Sequence, residues 1–367
     1  MSVIKKGIKT FGLPRIIILT FFILLIIVSG FYKMDLQSLI SDVIRRWAMY
    51  GILVLAMVPS IQSGIGPNFG VSLGISGGLL GCLISIELRY MGFYNAFAHN
   101  KTLFGLVGVA VALLLAVLFS SVFGVLYGML LNRVKGSEMT ISTYVGFSVV
   151  ALMNIVWLLL PFKSPTSIWP LAGEGLRNTI NLADDFAEVF NNLWGFDLGF
   201  ISPSLKNIYI PTGLIIVFVL ACVFVWLFSK SRTGIAMAAA GANPVFAKAS
   251  GINVNKMRIL GTSVSTALGG IGIVAYAQSY GFVQLYNAPL MMGFACVAAV
   301  LIGGASVGRA RIWNVLLGTF LFQGILAVAL PVANNILPES NLSEIFRIII
   351  SNGIILYALT KAKEDGK

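Results

Sequence analysis

Residues 103–131 read LFGLVGVAVALLLAVLFSSVFGVLYGMLL, with Lys101 ahead of the run and Arg133 behind it. The run carries no Asp, Glu, Lys or Arg. An uncharged apolar stretch longer than about 20 residues is long enough to cross a bilayer as a helix. Its apolar residues are continuous and do not alternate with polar ones, so the period-two pattern of a membrane β-barrel is excluded.

Outward from this run the same pattern recurs. Apolar segments are marked at residues 15–31, 47–61, 69–86, 103–131, 139–160, 208–228, 259–280, 289–302, 312–332 and 343–359. They predict an all-α polytopic membrane protein of about ten spans, forming one transmembrane domain over residues 1–367. The shorter segments, 47–61 and 289–302, are expected to be tilted, broken or partly re-entrant, because non-helical backbone survives at membrane depth only where protein or a water cavity covers it. Composition agrees. Of 367 residues, 58% are hydrophobic and 10% charged, whereas a soluble domain carries about 25% charge. The mean hydropathy is +0.93, and a polar surface for a water-soluble core of this size cannot be assembled from so few charges.

Basic residues collect on the cytoplasmic side of membrane proteins. With a cytoplasmic N-terminus, ten spans place the start, the 133–138 turn, residues 229–258, Arg309, Arg311 and the tail inside. That gives sixteen basic and three acidic residues inside, against nine basic and ten acidic outside. Both termini are therefore expected in the cytoplasm. Arg45 and Arg46 break the pattern and suggest an interfacial helix with snorkelling side chains. The basic residues are spread over separate loops, so nucleic-acid binding is not expected. The single His99 and the scattered Cys82, Cys222 and Cys296 offer no metal site or disulfide framework.

Two polar stretches stand out. Residues 161–207 are expected outside, where Leu182, Phe186, Val189, Phe190 and Leu193 recur at helical steps and predict an amphipathic helix. Such a cap suits docking of a delivery protein or shielding of helix ends. Residues 229–258 hold five basic residues and no acid. There, Asn243 followed by Pro244 reads as an N-cap with proline in the first turn, and Gly251 as the left-handed stop of a short helix from Pro244 to Ser250. The small residues Gly234, Ala236, Ala238, Ala239, Ala240 and Gly241 ahead of it permit close backbone approach. A cytoplasmic coupling segment and an ordinary ordered loop both fit these features.

The run from Arg232 to Arg258, RTGIAMAAAGANPVFAKASGINVNKMR, resembles the coupling loop of permease subunits in ribose- and galactose-type ABC importers. The family core Gly-x-Asn-x-x-Ala-Ala-x-x-x-Gly-Ile is matched by Gly241, Asn243, Ala247, Gly251 and Ile252, with Phe246 replacing the first Ala. Residues 265–272 (STALGGIG), residues 300–308 (VLIGGASVG) and Gly318 extend the resemblance over roughly the last 140 residues. The family's early Gly-Gly-x-Asp-Leu-Ser-x-Gly segment is represented only by residues 63–72 (SGIGPNFGVS), with Asn68 in place of Asp. The glycines and Pro67 there would break a helix near the membrane, a device that brings backbone groups to a solute.

The resemblance implies an ABC importer permease fold in a bacterial cytoplasmic (inner) membrane. It implies a second permease subunit, a cytoplasmic ATPase that carries ATP and Mg, and an extracytoplasmic solute-binding protein; no cofactor is expected on this chain. ATPase coupling falls to Gly234, Gly241, Asn243, Pro244, Phe246, Ala247, Lys248, Gly251 and Ile252. Asn68, Phe69, Ser72, Gln278 and Asn287 are the candidates for the solute path. The expected solute is small and polar, foremost a monosaccharide, with nucleosides and other metabolites as alternatives. The chain has no Gly-x-x-x-x-Gly-Lys-Ser/Thr phosphate loop, so ATP chemistry is assigned to another polypeptide and no enzyme activity is expected here. An ATP-independent channel or carrier is the competing class, disfavoured by the lack of ionisable residues in mid-span. Other polar span residues, among them Asn154, Ser263, Ser265, Thr266, Gln284, Asn314 and Gln323, read as interhelical hydrogen-bonding groups or as contacts for a neutral hydroxylated solute.

Overall fold

The computed structural model describes residues 13–97, 99–168, 176–286, 288–336, 345, 348–349, 352–356 and 360. The apolar runs are helices: α1 (Leu13–Phe31), α2 (Leu36–Leu55), α3 (Met57–Gln62), α4 (Val71–Tyr90), α5 (Lys101–Arg133) and α6 (Glu138–Leu159) in the first half. The second half contains α7 (Val189–Asn192), α8 (Thr212–Lys230), α9 (Arg232–Ala242), α10 (Pro244–Ala249), α11 (Val254–Tyr280), α12 (Ala288–Ile302) and α13 (Ile312–Ile336). Six of them, α4, α5, α6, α8, α11 and α13, are long and apolar enough to cross a membrane. Stretches 15–31 and 291–302 are shorter apolar helices. Most of the expected 343–359 segment lies outside the described residues.

Burial sorts the helices into a centre and a rim. Within the apolar windows, 83% of α4 and 67% of α11 and α13 is buried, against 28% of α5 and α6 and 22% of α8. The uncovered faces of the rim are apolar, with Leu114 72% and Leu159 75% exposed, which suits contact with lipid tails. The centre is tight because its contact stripes are small residues. A Cβ at Gly74 would strike the Thr266 carbonyl, and one at Gly78 would stand 2.6 Å from Gly270 O. Ser120 Oγ donates to Gly74 O at 2.8 Å, tying α5 to the same stripe. Where lipid supplies no hydrophobic drive, such backbone contact and interhelical hydrogen bonding hold helices together.

Two departures from the sequence reading have clear causes. The 47–61 segment is the second half of α2 plus α3, parted at Ala56. α2 begins earlier than expected because Asp35 caps it, its side chain accepting from Gln37 N. Asp42 then pairs with Arg45 at 2.6 Å and Arg46 at 2.7 Å, so the two arginines ride on this continuous helix and need no separate interfacial one. They lie over the Tyr280 ring at 5.3 and 6.0 Å. The amphipathic pattern at 182–193 folds as turns followed by the single turn of α7. Leu182, Phe186 and Phe190 are nonetheless buried, as the periodicity requires.

The 161–207 stretch is fastened to one end of the bundle. Strand β1 (Thr179–Asn181) pairs antiparallel with β4 (Phe282–Gln284), and β2 (Phe196–Asp197) with β3 (Tyr209–Ile210). Glu87 at the end of α4 accepts from Lys163 N and Ser164 N at 2.9 and 3.0 Å. Arg89 Nη1 meets Asp185 Oδ1 at 2.8 Å, with the Asp185 side chain 1% exposed. Burial pushes the Asp185 carboxyl above its ordinary range, and Arg89 only partly offsets this.

Two outcomes test this packing. Gly78→Val should cost about 1–3 kcal/mol by overpacking and lower the Tm of the detergent-solubilised chain, whereas Gly30→Ala, with nothing within 4 Å, should leave it unchanged; equal Tm values would refute the stripe. Arg89→Ala should cost about 3 kcal/mol at neutral pH by stranding a buried carboxylate. Because the Asp185 pKa is raised in the folded state, protonation favours folding, so this loss should shrink as pH falls through that pKa. A loss that is flat with pH would refute the assignment.

Candidate functional site

The candidate site lies at the other end of the bundle, where the chain between α2 and α4 breaks. From Ser63 to Gly70 it is turn and coil, yet Ser63, Ile65 and Asn68 are 5% exposed or less. Side chains supply what a helix ladder would have supplied. Ser60 Oγ donates to Gly66 O at 2.8 Å, Ser63 Oγ to Ser60 O at 2.8 Å, and Gln62 Nε2 to Ala310 O at 3.2 Å. Asn68 Nδ2 donates to Ser265 Oγ in mid-α11 at 2.8 Å.

Against this turn lies α9. Gly64 has φ +78°, and a Cβ there would sit 2.8 Å from the Gly241 Cα, while one on Gly241 would strike the Gln62 carbonyl. Only glycine at both positions lets the two backbones touch. Gly234 plays the same part at the sharp α8–α9 corner, where a Cβ would strike the Phe228 carbonyl.

Three successive N-caps shape the 231–256 segment. Ser231 Oγ accepts from Gly234 N at 3.1 Å, Asn243 Oδ1 from Phe246 N at 3.0 Å, and Asn253 Oδ1 from Lys256 N at 3.0 Å. Pro244 opens α10. The helix closes in a Schellman motif: Ile252 N donates to Ala247 O at 2.9 Å and Gly251 N to Lys248 O at 3.1 Å, with Gly251 at φ +80°. Ala247 faces inward at 0% exposure, while Val245 at 80% and Phe246 at 65% face outward, beside exposed Lys248. Val245 and Lys248 border a groove of about 950 Å³ that continues to Lys135 and Asn253.

One largely buried ion pair and two exposed hydrogen bonds fix the base of α11. Arg258 pairs with Glu138 at 2.6 Å, the side chains 9% and 14% exposed. Lys135 Nζ donates to Asn255 Oδ1 at 2.8 Å, and Asn132 Nδ2 to Asn255 O at 2.9 Å.

The residues expected along a solute path divide. Asn68 is fully buried, with Oδ1 lacking a partner among the described residues. Ser72 Oγ donates to Pro289 O at 2.6 Å, and the Phe69 ring lies 5.7 Å from Phe294. Ser72 and Phe69 come together where the start of α4 meets α12, while Asn68 beside them bonds to α11. Gln278 belongs elsewhere: its Oε1 accepts from Phe190 N at 3.0 Å and its Nε2 donates to Ala275 O at 3.2 Å, so it fastens α7 to α11. Asn287 lies outside the described residues.

Near Phe294 is a cavity of about 670 Å³, lined by Tyr50, Tyr276, Gln284, Gln323 and Asn352. Sequence reasoning noted Gln284 and Gln323 only as polar span residues and passed over Tyr50, Tyr276 and Phe294, since aromatics in apolar runs carry no distinguishing signal. Among the described residues no charged side chain lines this cavity. Among the described residues no group of three or more His, Cys, Asp and Glu is placed to hold a metal ion. The lining suits hydrogen bonding and stacking with an uncharged molecule.

Comparison with known proteins agrees with this architecture. Residues 39–358 match the family described as branched-chain amino acid transport system / permease component. The chain is 29% identical over 201 residues to the probable ABC transporter permease protein YphD of Escherichia coli (strain K12), covering 54% of this chain and 55% of that one. It is 32% identical over 114 residues to the nucleoside ABC transporter permease protein NupB of Lactococcus lactis subsp. cremoris (strain MG1363), covering 30% and 31%. It is 27% identical over 149 residues to the guanosine ABC transporter permease protein NupQ of Bacillus subtilis (strain 168), covering 40% and 44%. The chain thus spans about half the length, or less, of the curated relatives it matches. No solved structure matches it. With the family match running through nearly all the helices and six of them fit to cross a bilayer, the chain belongs to the permease-component family of ABC-type transporters and is a multi-pass protein of the inner membrane.

Proposed function

We propose that this chain is the membrane-spanning subunit of an ATP-driven importer for a small, uncharged polar solute. Its ten spans place both termini and the 229–258 segment in the cytoplasm and the 161–207 cap outside. A separate ATPase docks on α10, a solute-binding protein delivers to the cap, and a second permease subunit completes the path. The observation that carries the reading is the pair of outward apolar side chains, Val245 and Phe246, on a short helix whose neighbour α9 rests on the broken 63–70 turn. Apolar residues left outside on a rigid, doubly capped helix form a compact surface for another protein. A push on α10 would pass through Gly241 and Gly64 to the turn, and through Asn68 and Ser265 to α11.

For the solute, the sequence alone favours a monosaccharide. Nucleosides are a second reading, supported by relatives named as nucleoside and guanosine permeases. Both are neutral and hydroxylated, which suits a cavity with no charged side chain among its described lining residues.

Phe246→Asp should abolish solute-stimulated ATPase activity of the assembled transporter, by at least about tenfold, the effect of losing roughly 1.4 kcal/mol of contact. The amount of chain in the membrane and its Tm should stay as in the parent, because the side chain is exposed. Normal coupled hydrolysis in this variant would overturn the assigned role of α10.

A further inference from the structure

The cavity near Phe294 has a buried amide in its wall. Gln323 in α13 is 2% exposed and its side chain lines the cavity. An amide at the wall of a buried cavity is a hydrogen-bonding group for whatever occupies that space. Gln284 on β4 and Asn352 bring two further amides to the same space.

The rest of the wall is aromatic. Tyr50 and Tyr276 meet edge to face at 5.3 Å and 74°. Phe294 closes the side towards the broken turn, its ring 5.7 Å from Phe69 and 5.9 Å from Phe147. The volume of about 670 Å³ falls within the roughly 300–1,000 Å³ typical of sites that enclose a small organic molecule.

We infer that this cavity is a solute-binding site inside the permease, that it takes a nucleoside, and that Gln323 reads the edge of the base. The inference rests on the transport reading above and narrows its solute. A monosaccharide can pair its hydroxyls with the amides and with the Tyr50 and Tyr276 hydroxyls, but its puckered ring offers no flat π face to the aromatic wall. A nucleoside divides its chemistry as the cavity does. The flat base packs on the Tyr and Phe rings, a stacking contact open to any base. The base edge offers a donor and an acceptor side by side, which one carboxamide can satisfy. The ribose hydroxyls are left for Gln284 and Asn352. Among the described residues no ionised side chain faces the space, which suits an uncharged solute.

The test is photolabelling of native membranes that hold the chain with its partners, using 8-azidoadenosine and 5-azidouridine as probes, with adducts located by mass spectrometry. Adducts are expected within residues 288–295 or 320–326, protected by excess unlabelled nucleoside and not by ribose or galactose. Gln323→Leu should cut labelling about tenfold, with Gln323→Asn recovering part of it. If Gln323→Leu does not accumulate, Gln284→Leu at its half-buried position serves as the second variant, with labelling again reduced.

Absence of adducts there with both probes, protection by ribose, or unchanged labelling in the leucine variants would overturn the inference. Uptake of labelled adenosine and ribose by the same membranes keeps the two readings apart. ATP-driven uptake without adducts in the cavity overturns the site and leaves import standing, whereas uptake indifferent to ATP overturns import whatever the labelling shows.

Discussion

A bilayer offers a peptide group no hydrogen-bond partner, and the organisation of this protein follows from that constraint. Where the chain faces lipid it is unbroken helix, as in α5 and α8. Where it departs from helix at Ala56 and again from Ser63 to Gly70, it does so inside the bundle, with Ser60, Ser63, Gln62 and Asn68 supplying the missing contacts. The break is thus held in place from several sides. α9 reaches it through Gly241, α11 through Ser265 and Gly261, and the loop after α12 through Ala310. A segment so placed can pass a displacement between the exposed α10 and the centre of the membrane.

Glycine and serine set these distances. Gly74, Gly78 and Gly270 bring α4 and α11 to backbone contact, and Ser120 adds α5 to the same seam. The interior is accordingly rigid at the seam and roomier near α12 and α13, where Phe294, Gln323 and the two tyrosines enclose open space. The opposite end is closed by a different means: Glu87, Arg89 and Gln278 reach out of the helices and tie down the 161–207 stretch.

The features legible in the sequence are those whose physics is local. Long uncharged runs announced the helices. Asn243, Pro244 and Gly251 announced a short capped helix because each acts on its own backbone within four residues. Gly64 to Gly70 announced a break for the same reason. Relations across the fold were not legible. Asp42 pairs with two arginines that seemed out of place, yet its pairing depends on where α2 starts. The pattern from Leu182 to Leu193 told correctly which side chains are buried and overstated the helix, since turns can bury the same residues. Gln278 and Gln323 are alike in sequence, but one is satisfied by the α7 backbone and the other faces a cavity. That difference arises only when α7, α11 and α13 are packed.

The central claim is that this chain is moved by a separate ATPase. It is tested most directly by isolating the chain from its native membrane in mild detergent and identifying by mass spectrometry what remains bound. The account predicts an ATPase with a phosphate-binding loop in stoichiometric amount. A chain that purifies alone, and that transports solute in vesicles free of ATP, would contradict it.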